Sequence, residues 1–257
     1  MTRRIAFEGI ENFRDFGDYA AGERRLRRGL LYRSAHHAKA SDADLDALAG
    51  LDLAVIVDLR RTNERERDPC RRWDGFGAEV IENDIGQEGA DEWHTFLAGS
   101  DLSEASFRSY MLAYYDAAPT APRHLDLYSR YFRALAATDG PVLVHCAAGK
   151  DRTGILCALT HHVAGVHDDD IVADYLLTND AARIASRTPM VGDMILEQTG
   201  RRPSDAAVQV AIGVEADYLT RALEAMRQAY GSVDGYLDGA LGLDAKLREQ
   251  IHDRLLA

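Results

Sequence analysis

The chain reads as an α/β protein with a central, mostly parallel sheet flanked by helices and a helical C-terminal elaboration. Three observations predict this. Residues 53–59 form a nearly continuous apolar run, the pattern of a strand buried on both faces. Residues 141–144 form a second apolar strand, entered through the turn Asp139-Gly140-Pro141 and followed by a short loop and an apolar, helix-like stretch, 155–163. Residues 165–257 then carry helical spacing almost throughout.

Taken in order, residues 10–35 form an extended lead-in region, with 12–17 a loop and 24–32 a strand plus turn. Arg24, Arg25, Arg27 and Arg28 are expected on a solvated face. Ser41 with Asp44 forms a capping box for a short helix carrying Leu45 and Leu48, closed by Gly50. After the 53–59 strand, Thr62 is expected to cap a charged helix through Arg67, which Pro69 ends, and 78–81 is another strand. Residues 84–102 form a long Gly- and acid-rich connection, of the length seen in lids. Ser103 opens a helix with Phe107, Tyr110, Met111 and Tyr114, and a longer helix from Pro122 carries Leu125, Tyr128, Phe132 and Leu135. At that spacing these side chains are read as core. Gly165 ends the helix after the loop, Asp168 is expected to cap the next, and residues 215–230 form an amphipathic helix stopped by Gly231. Ser232 and Asp244 cap the last two helices. One domain spans 1–257: an α/β core over 1–165 and a helical elaboration over 166–257.

Bulk properties narrow the function. The net charge of −12 argues against nonspecific binding to nucleic acid or an anionic membrane surface. No apolar run is long enough to span a membrane, so no stable membrane insertion is expected, and the N-terminus lacks the apolar core of a signal peptide. Cys70, Cys146 and Cys157 do not suggest a disulfide framework, and no Cys/His spacing suggests zinc, so neither metal nor cofactor is expected. Cys157 is expected in the core. A cytoplasmic, reducing compartment suits these thiols.

The run His145-Cys146-Ala147-Ala148-Gly149-Lys150-Asp151-Arg152-Thr153-Gly154 carries the chemistry. Five residues separate Cys146 from Arg152, at the junction of a strand and a helix. The N–H groups of Ala147, Ala148, Gly149 and Lys150 can curl around one phosphate, with Gly149 supplying the backbone freedom. The helix N-terminus at Thr153 and Gly154 adds its positive end. Arg152 can hold two phosphate oxygens with its planar fork. These positive groups favour a Cys146 thiolate, the attacking form, and the Thr153 hydroxyl can assist it as a leaving group. The reading is phosphoryl transfer through a phosphocysteine. His145 is expected to orient the loop.

These residues resemble the HCxxGxxR[ST]G phosphate loop of the cysteine-dependent protein tyrosine and dual-specificity phosphatases. The HCxxGKDRTG form is similar to a bacterial branch with mycobacterial members. Asn12-Phe13-Arg14-Asp15, Leu31-Tyr32-Arg33-Ser34, Val57-Asp58-Leu59-Arg60, Ala173-Asp174-Tyr175-Leu176 and Tyr230-Gly231-Ser232 resemble that branch in the same order. The resemblance implies a cysteine-phosphatase fold with helices in 166–257 covering the site. It also implies broad specificity over phosphotyrosine and phosphoinositides; some of its members are exported without a leader.

The proton donor to the leaving oxygen is open among three carboxylates, taken in the order Asp151, Asp58, Asp84. Asp151 lies in the loop itself. Asp58 ends a buried strand at its carboxyl end, where α/β sites sit, and its neighbour Arg60 is a candidate for binding phosphate or the loop backbone. Asp84 follows the next strand, and Asp116 is read as an ordinary helix carboxylate. Lys150 adds a positive charge suited to a second phosphate on an inositol ring. The expected partner is a phosphorylated protein or a phosphoinositide; the oligomeric state stays open. The rival readings are a phosphoinositide or inositol-phosphate phosphatase, a thiol reductase or sulfur transferase, and a non-catalytic phosphate-binding module.

Overall fold

The computed structural model describes residues 3–86 and 92–257. Five strands form the main sheet: β1 (Arg14–Asp15), β4 (Leu31–Ser34), β7 (Val142–His145), β5 (Val55–Asp58) and β6 (Glu79–Ile81), side by side in that order. The β4, β7, β5 and β6 strands are parallel, and β1 is antiparallel to β4. A small antiparallel hairpin, β2 (Ala20–Ala21) with β3 (Arg24–Arg25), stands apart. The predicted mostly parallel sheet is present.

Strand alternation sorts the core. Val142 and Val144 of β7, with Val55 and Val57 of β5, face one cluster, while Leu143 and Ile56 face another. The first cluster is filled by α5 (Pro122–Ala137) and α6 (Asp151–Ala164), the second by Leu45 and Leu48 of α1 (Asp42–Ala49) with Ile10 and Phe13. Helices on both faces explain why the strands read as unbroken apolar runs. The α6 helix is buried nearly all round, from Ile155 to Leu159, which suits its central place behind β7. A third cluster joins α3 (Glu92–Gly99), α4 (Glu104–Ala117), α8 (Ala181–Thr199) and α9 (Asp205–Ile212). Among the described residues, five more α-helices complete the chain: α2 (Thr62–Arg67), α7 (Asp168–Leu176), α10 (Ala216–Tyr230), α11 (Val233–Gly239) and α12 (Ala245–Leu255).

Several boundaries differ from expectation. The 84–102 connection contains α3, and residues 87–91 of it lie outside the described residues. The α6 helix starts at Asp151, not near Thr153. His167, whose ring accepts from the Asp169 N–H, caps α7 in place of Asp168. Thr62 is the first residue of α2 rather than its cap, because Glu64 takes the Arg61 N–H at 2.8 Å and the Thr62 hydroxyl bonds Asp84. The Ser41–Asp44 capping box and the caps at Ser103, Ser232 and Asp244 are as expected.

Candidate active site

The carboxyl ends of β4, β7 and β5 are in register: Ser34 and Asp58 both stand opposite His145. That edge is where an open α/β sheet presents its chemistry. The chain leaves β7 at Cys146, turns through Ala147–Lys150 and enters α6 at Asp151, so Cys146 and Arg152 stand at the two ends of one turn. Cys146 is 2% exposed.

The loop's shape is held from outside through its carbonyls. Ala147 O accepts from His36 N at 3.2 Å. Gly149 O accepts from Asn12 Nδ2 at 2.8 Å and from an Arg33 Nη at 2.9 Å. Gly149 has φ +66°, and a Cβ there would lie 2.4 Å from the Ser34 carbonyl, so only glycine fits. Among the described residues, no hydrogen bond takes up the N–H groups of Ala147, Ala148, Gly149 or Lys150, which stay available to an anion.

Arg33 and Asn12 belong to a buried polar network. Asp174 of α7 meets Arg33 at 2.9 Å and Arg14 at 3.3 Å, and Arg14 donates to Asn12 Oδ1 at 2.6 Å. Burial alone would raise the Asp174 carboxyl, but Arg14 and Arg33 hold it well below the usual carboxylate range. The segments 12–15, 31–34 and 173–176, which sequence marked without assigning roles, converge in this bracket.

Arg152 is preset by a residue that sequence reasoning missed. Both of its Nη atoms bond the Glu64 carboxylate, Nη2 to Oε1 at 2.7 Å, and Nη1 also donates to Leu59 O at 3.1 Å. Glu64 reads in the sequence as one charge of a solvated helix. The available signal was its place in the first turn after β5, at the functional edge of the sheet.

Asp151 lies one peptide before Arg152, partly exposed. Its Oδ1 accepts from Tyr115 Oη at 2.7 Å and from Lys150 Nζ at 2.8 Å. Lys150 is buried and also reaches Gly213 O, after α9, at 3.4 Å. The Thr153 hydroxyl is fully buried with no partner among the described residues, a spare donor beneath the loop. The Tyr114 hydroxyl is likewise buried without a partner; Arg152, Asp151, Cys146 and Glu64 are the charged and ionisable groups around it. Reading Tyr114 as core alone overlooked this.

The other expected acids lie elsewhere. Asp58 and Arg60 face each other in a buried two-point pair, Nη2–Oδ2 2.7 Å and Nε–Oδ1 2.9 Å. Arg60 also donates from Nη1 to Asp68 O and from Nη2 to Cys70 Sγ, and among the described residues none of its hydrogen bonds goes to the loop backbone. Burial would raise the Asp58 carboxyl, but the hydrogen bonds and charge of Arg60 hold it well below the usual range. Asp84 is exposed against Thr62 and Arg65, and Asp116 pairs with Arg221 at the surface. Burial lowers the His145 ring to about 4, and the ring lies 4.9 Å from that of His37, tilted by 31°. Asp58, Cys70 and His145 bring a carboxylate, a thiol and an imidazole within 4.8 Å, but the Arg60 guanidinium already lies on two of the three and supplies the positive charge. Burial pushes the Cys157 thiol up to about 12, as befits a core residue.

The chain that builds this cradle of N–H groups, thiol and guanidinium is similar in sequence to known proteins. Residues 5–257 match the model of the tyrosine phosphatase family. The chain is 35% identical over 249 residues to a Cupriavidus necator protein whose name assigns it to the tyrosine-protein phosphatases, covering 95% of this chain and 86% of that one. It is 32% identical over 262 residues to the triple specificity protein phosphatase PtpB of Mycobacterium tuberculosis, covering 90% and 92%. A tyrosine-protein phosphatase of Nostoc commune is 29% identical over 231 residues, covering 87% and 73%. With nearly its whole length matched in this way, the chain belongs to the tyrosine phosphatase family and is a phosphatase enzyme.

Proposed function

We propose that the protein hydrolyses phosphotyrosine, and phosphoserine or phosphothreonine more slowly, through a phosphocysteine at Cys146. The observation that carries this is the pairing, across one strand–loop–helix turn, of Cys146 with an Arg152 fork already fixed by Glu64 and Leu59 O. In the first step the Cys146 thiolate attacks phosphorus and the bond to the tyrosine oxygen breaks. Asp151 gives its proton to that oxygen. In the second step water attacks phosphorus, the Asp151 carboxylate takes a proton from it, and the P–S bond breaks to release phosphate and regenerate the thiolate. The loop N–H groups and Arg152 hold the equatorial oxygens in both steps. Thr153, with its unused hydroxyl, donates to the sulfur. Asp58 and Arg60 are assigned to holding the end of β5 beside His145, outside the chemistry.

The helices of 166–257 act as one domain with the core and cover the site; the contact of Lys150 with Gly213 O and the low exposure of Cys146 support this. The free thiols favour the cytoplasm. Among the described residues, no helix is long and apolar enough to cross a membrane. Lys150 beside the loop favours a second reading, phosphoinositides, and the breadth named for the mycobacterial relative agrees with it. Phosphate release by wild type and Cys146→Ser, with EDTA, from a phosphotyrosine peptide and from phosphoinositide vesicles tests both. Release lost in the variant supports the cysteine mechanism, and the faster substrate decides between protein and lipid. No release by folded wild type would contradict both readings.

A further inference from the structure

Resting on the reading of Asp151 as proton donor, we propose that Tyr115, itself held by Tyr175, is a positioning residue for that acid: it anchors Oδ1 and leaves Oδ2 to carry the proton toward the leaving oxygen. Tyr115 Oη lies 2.7 Å from Asp151 Oδ1 and 2.6 Å from Tyr175 Oη. Both tyrosines are almost fully buried, at 0% and 1% exposure. A phenol has one hydrogen to give. With that of Tyr115 committed to Asp151, the hydrogen between the two phenols is Tyr175's. The chain therefore runs Tyr175 to Tyr115 to Asp151, and each bond polarises the next.

The rings are fixed from several sides. Tyr115 stacks on Tyr218 of α10 at 5.5 Å and meets Tyr175 edge-on at 6.5 Å. The bare Gly154 Cα of α6 abuts the Tyr175 ring, where a Cβ would come within 2.7 Å. Helices outside the sheet thus aim the acid. Burial, and after it the Asp151 charge, push both phenols well above their ordinary range, so both remain donors across the working pH. The titratable groups that face Asp151 are Lys150 on the loop, Tyr114 and Tyr115 from α4, Tyr175 from α7, Arg183 from α8 and Tyr218 from α10. Of these, Lys150 and Tyr115 bond it directly. A donor to Oδ1 stabilises the carboxylate, so removing the Tyr115 hydroxyl makes Asp151 hold its proton more tightly.

The test is kcat/KM against pH for Tyr115→Phe, Tyr175→Phe and Asp151→Asn in the full chain, on phenyl phosphate and nitrophenyl phosphate. Nitrophenolate needs little protonation to leave, so it bypasses the acid. Tyr115→Phe is expected to move the basic limb up by about 0.5–1 pH unit. It should lose about 10-fold on phenyl phosphate at neutral pH and less than about 2-fold on nitrophenyl phosphate. Tyr175→Phe should move the limb the same way by less. A folded Tyr115→Phe with the wild-type limb and equal losses on both substrates overturns the inference. If Tyr115→Phe does not fold, the Tyr175→Phe limb decides: a rise supports the inference and no movement overturns it. Asp151→Asn separates the two claims. A basic limb that survives in it removes the acid reading itself, whereas a limb lost there but unmoved in the tyrosine variants removes only the positioning role.

Discussion

The Glu64 carboxylate and the Arg152 guanidinium grip each other at two points, with one arm at 2.7 Å. Burial would raise Glu64, but Arg152 outweighs it and brings the carboxyl down to about 2. The same carboxylate closes the first turn of α2 through the Arg61 N–H. One side chain therefore ties the helix after β5 to the phosphate-binding arginine.

Glu64→Gln should lower kcat/KM on nitrophenyl phosphate by about 10- to 100-fold, because a phosphate-binding fork displaced by a fraction of an ångström loses its alignment. Glu64 is depressed in the folded state, so its stabilising effect is complete above the unfolded glutamate value near 4.3 and is lost as pH falls toward 2. Urea unfolding of wild type and Glu64→Gln should therefore differ by about 3 kcal/mol at pH 6, with the difference shrinking below about pH 4 and closing only below about pH 2. A constant difference would contradict the ion-pair account.

Asp174→Asn removes the shared anion of two buried arginines. It should destabilise the fold by about 3–5 kcal/mol in chemical denaturation. Arg33 also holds Gly149 O, so the folded fraction should lose activity as well.

Gly149→Ala must place a Cβ against the Ser34 carbonyl at a positive φ. Activity should fall by more than about 100-fold, with a stability cost of roughly 1–3 kcal/mol from local strain. Near-native activity in this variant would mean that the loop adopts another shape when it works.

Asp58→Asn is the contrast to Asp151→Asn. Breaking the buried pair with Arg60 should cost about 3–5 kcal/mol of stability. The basic limb of the kcat/KM profile should stay, because Asp58 is not assigned the transferred proton. Loss of that limb with an intact fold would move the acid to Asp58.

The parts legible in the sequence are those written in local pattern. The apolar runs gave β5 and β7 because both faces of the sheet are covered, and the cap residues gave most helix starts. The cradle was legible because Cys146 and Arg152 lie in one continuous turn. Glu64 was not, since its partner is 88 residues away and nothing local separates it from a solvated charge. Asp58 and Arg60 looked functional because they end a central strand. Two residues apart at a strand end, they can satisfy each other, and in the fold they do. The tyrosine chain to Asp151 joins α4, α6 and α7, a contact that no spacing encodes.

The most direct test of the account is to quench wild type and Cys146→Ser in acid within milliseconds of mixing with a phosphotyrosine peptide, digest, and locate phosphate by mass. A phosphate adduct is expected on the Cys146 peptide of the wild type and none in the variant, which should also release no phosphate. Phosphate release by Cys146→Ser at the wild-type rate, or an adduct on another residue, would contradict it.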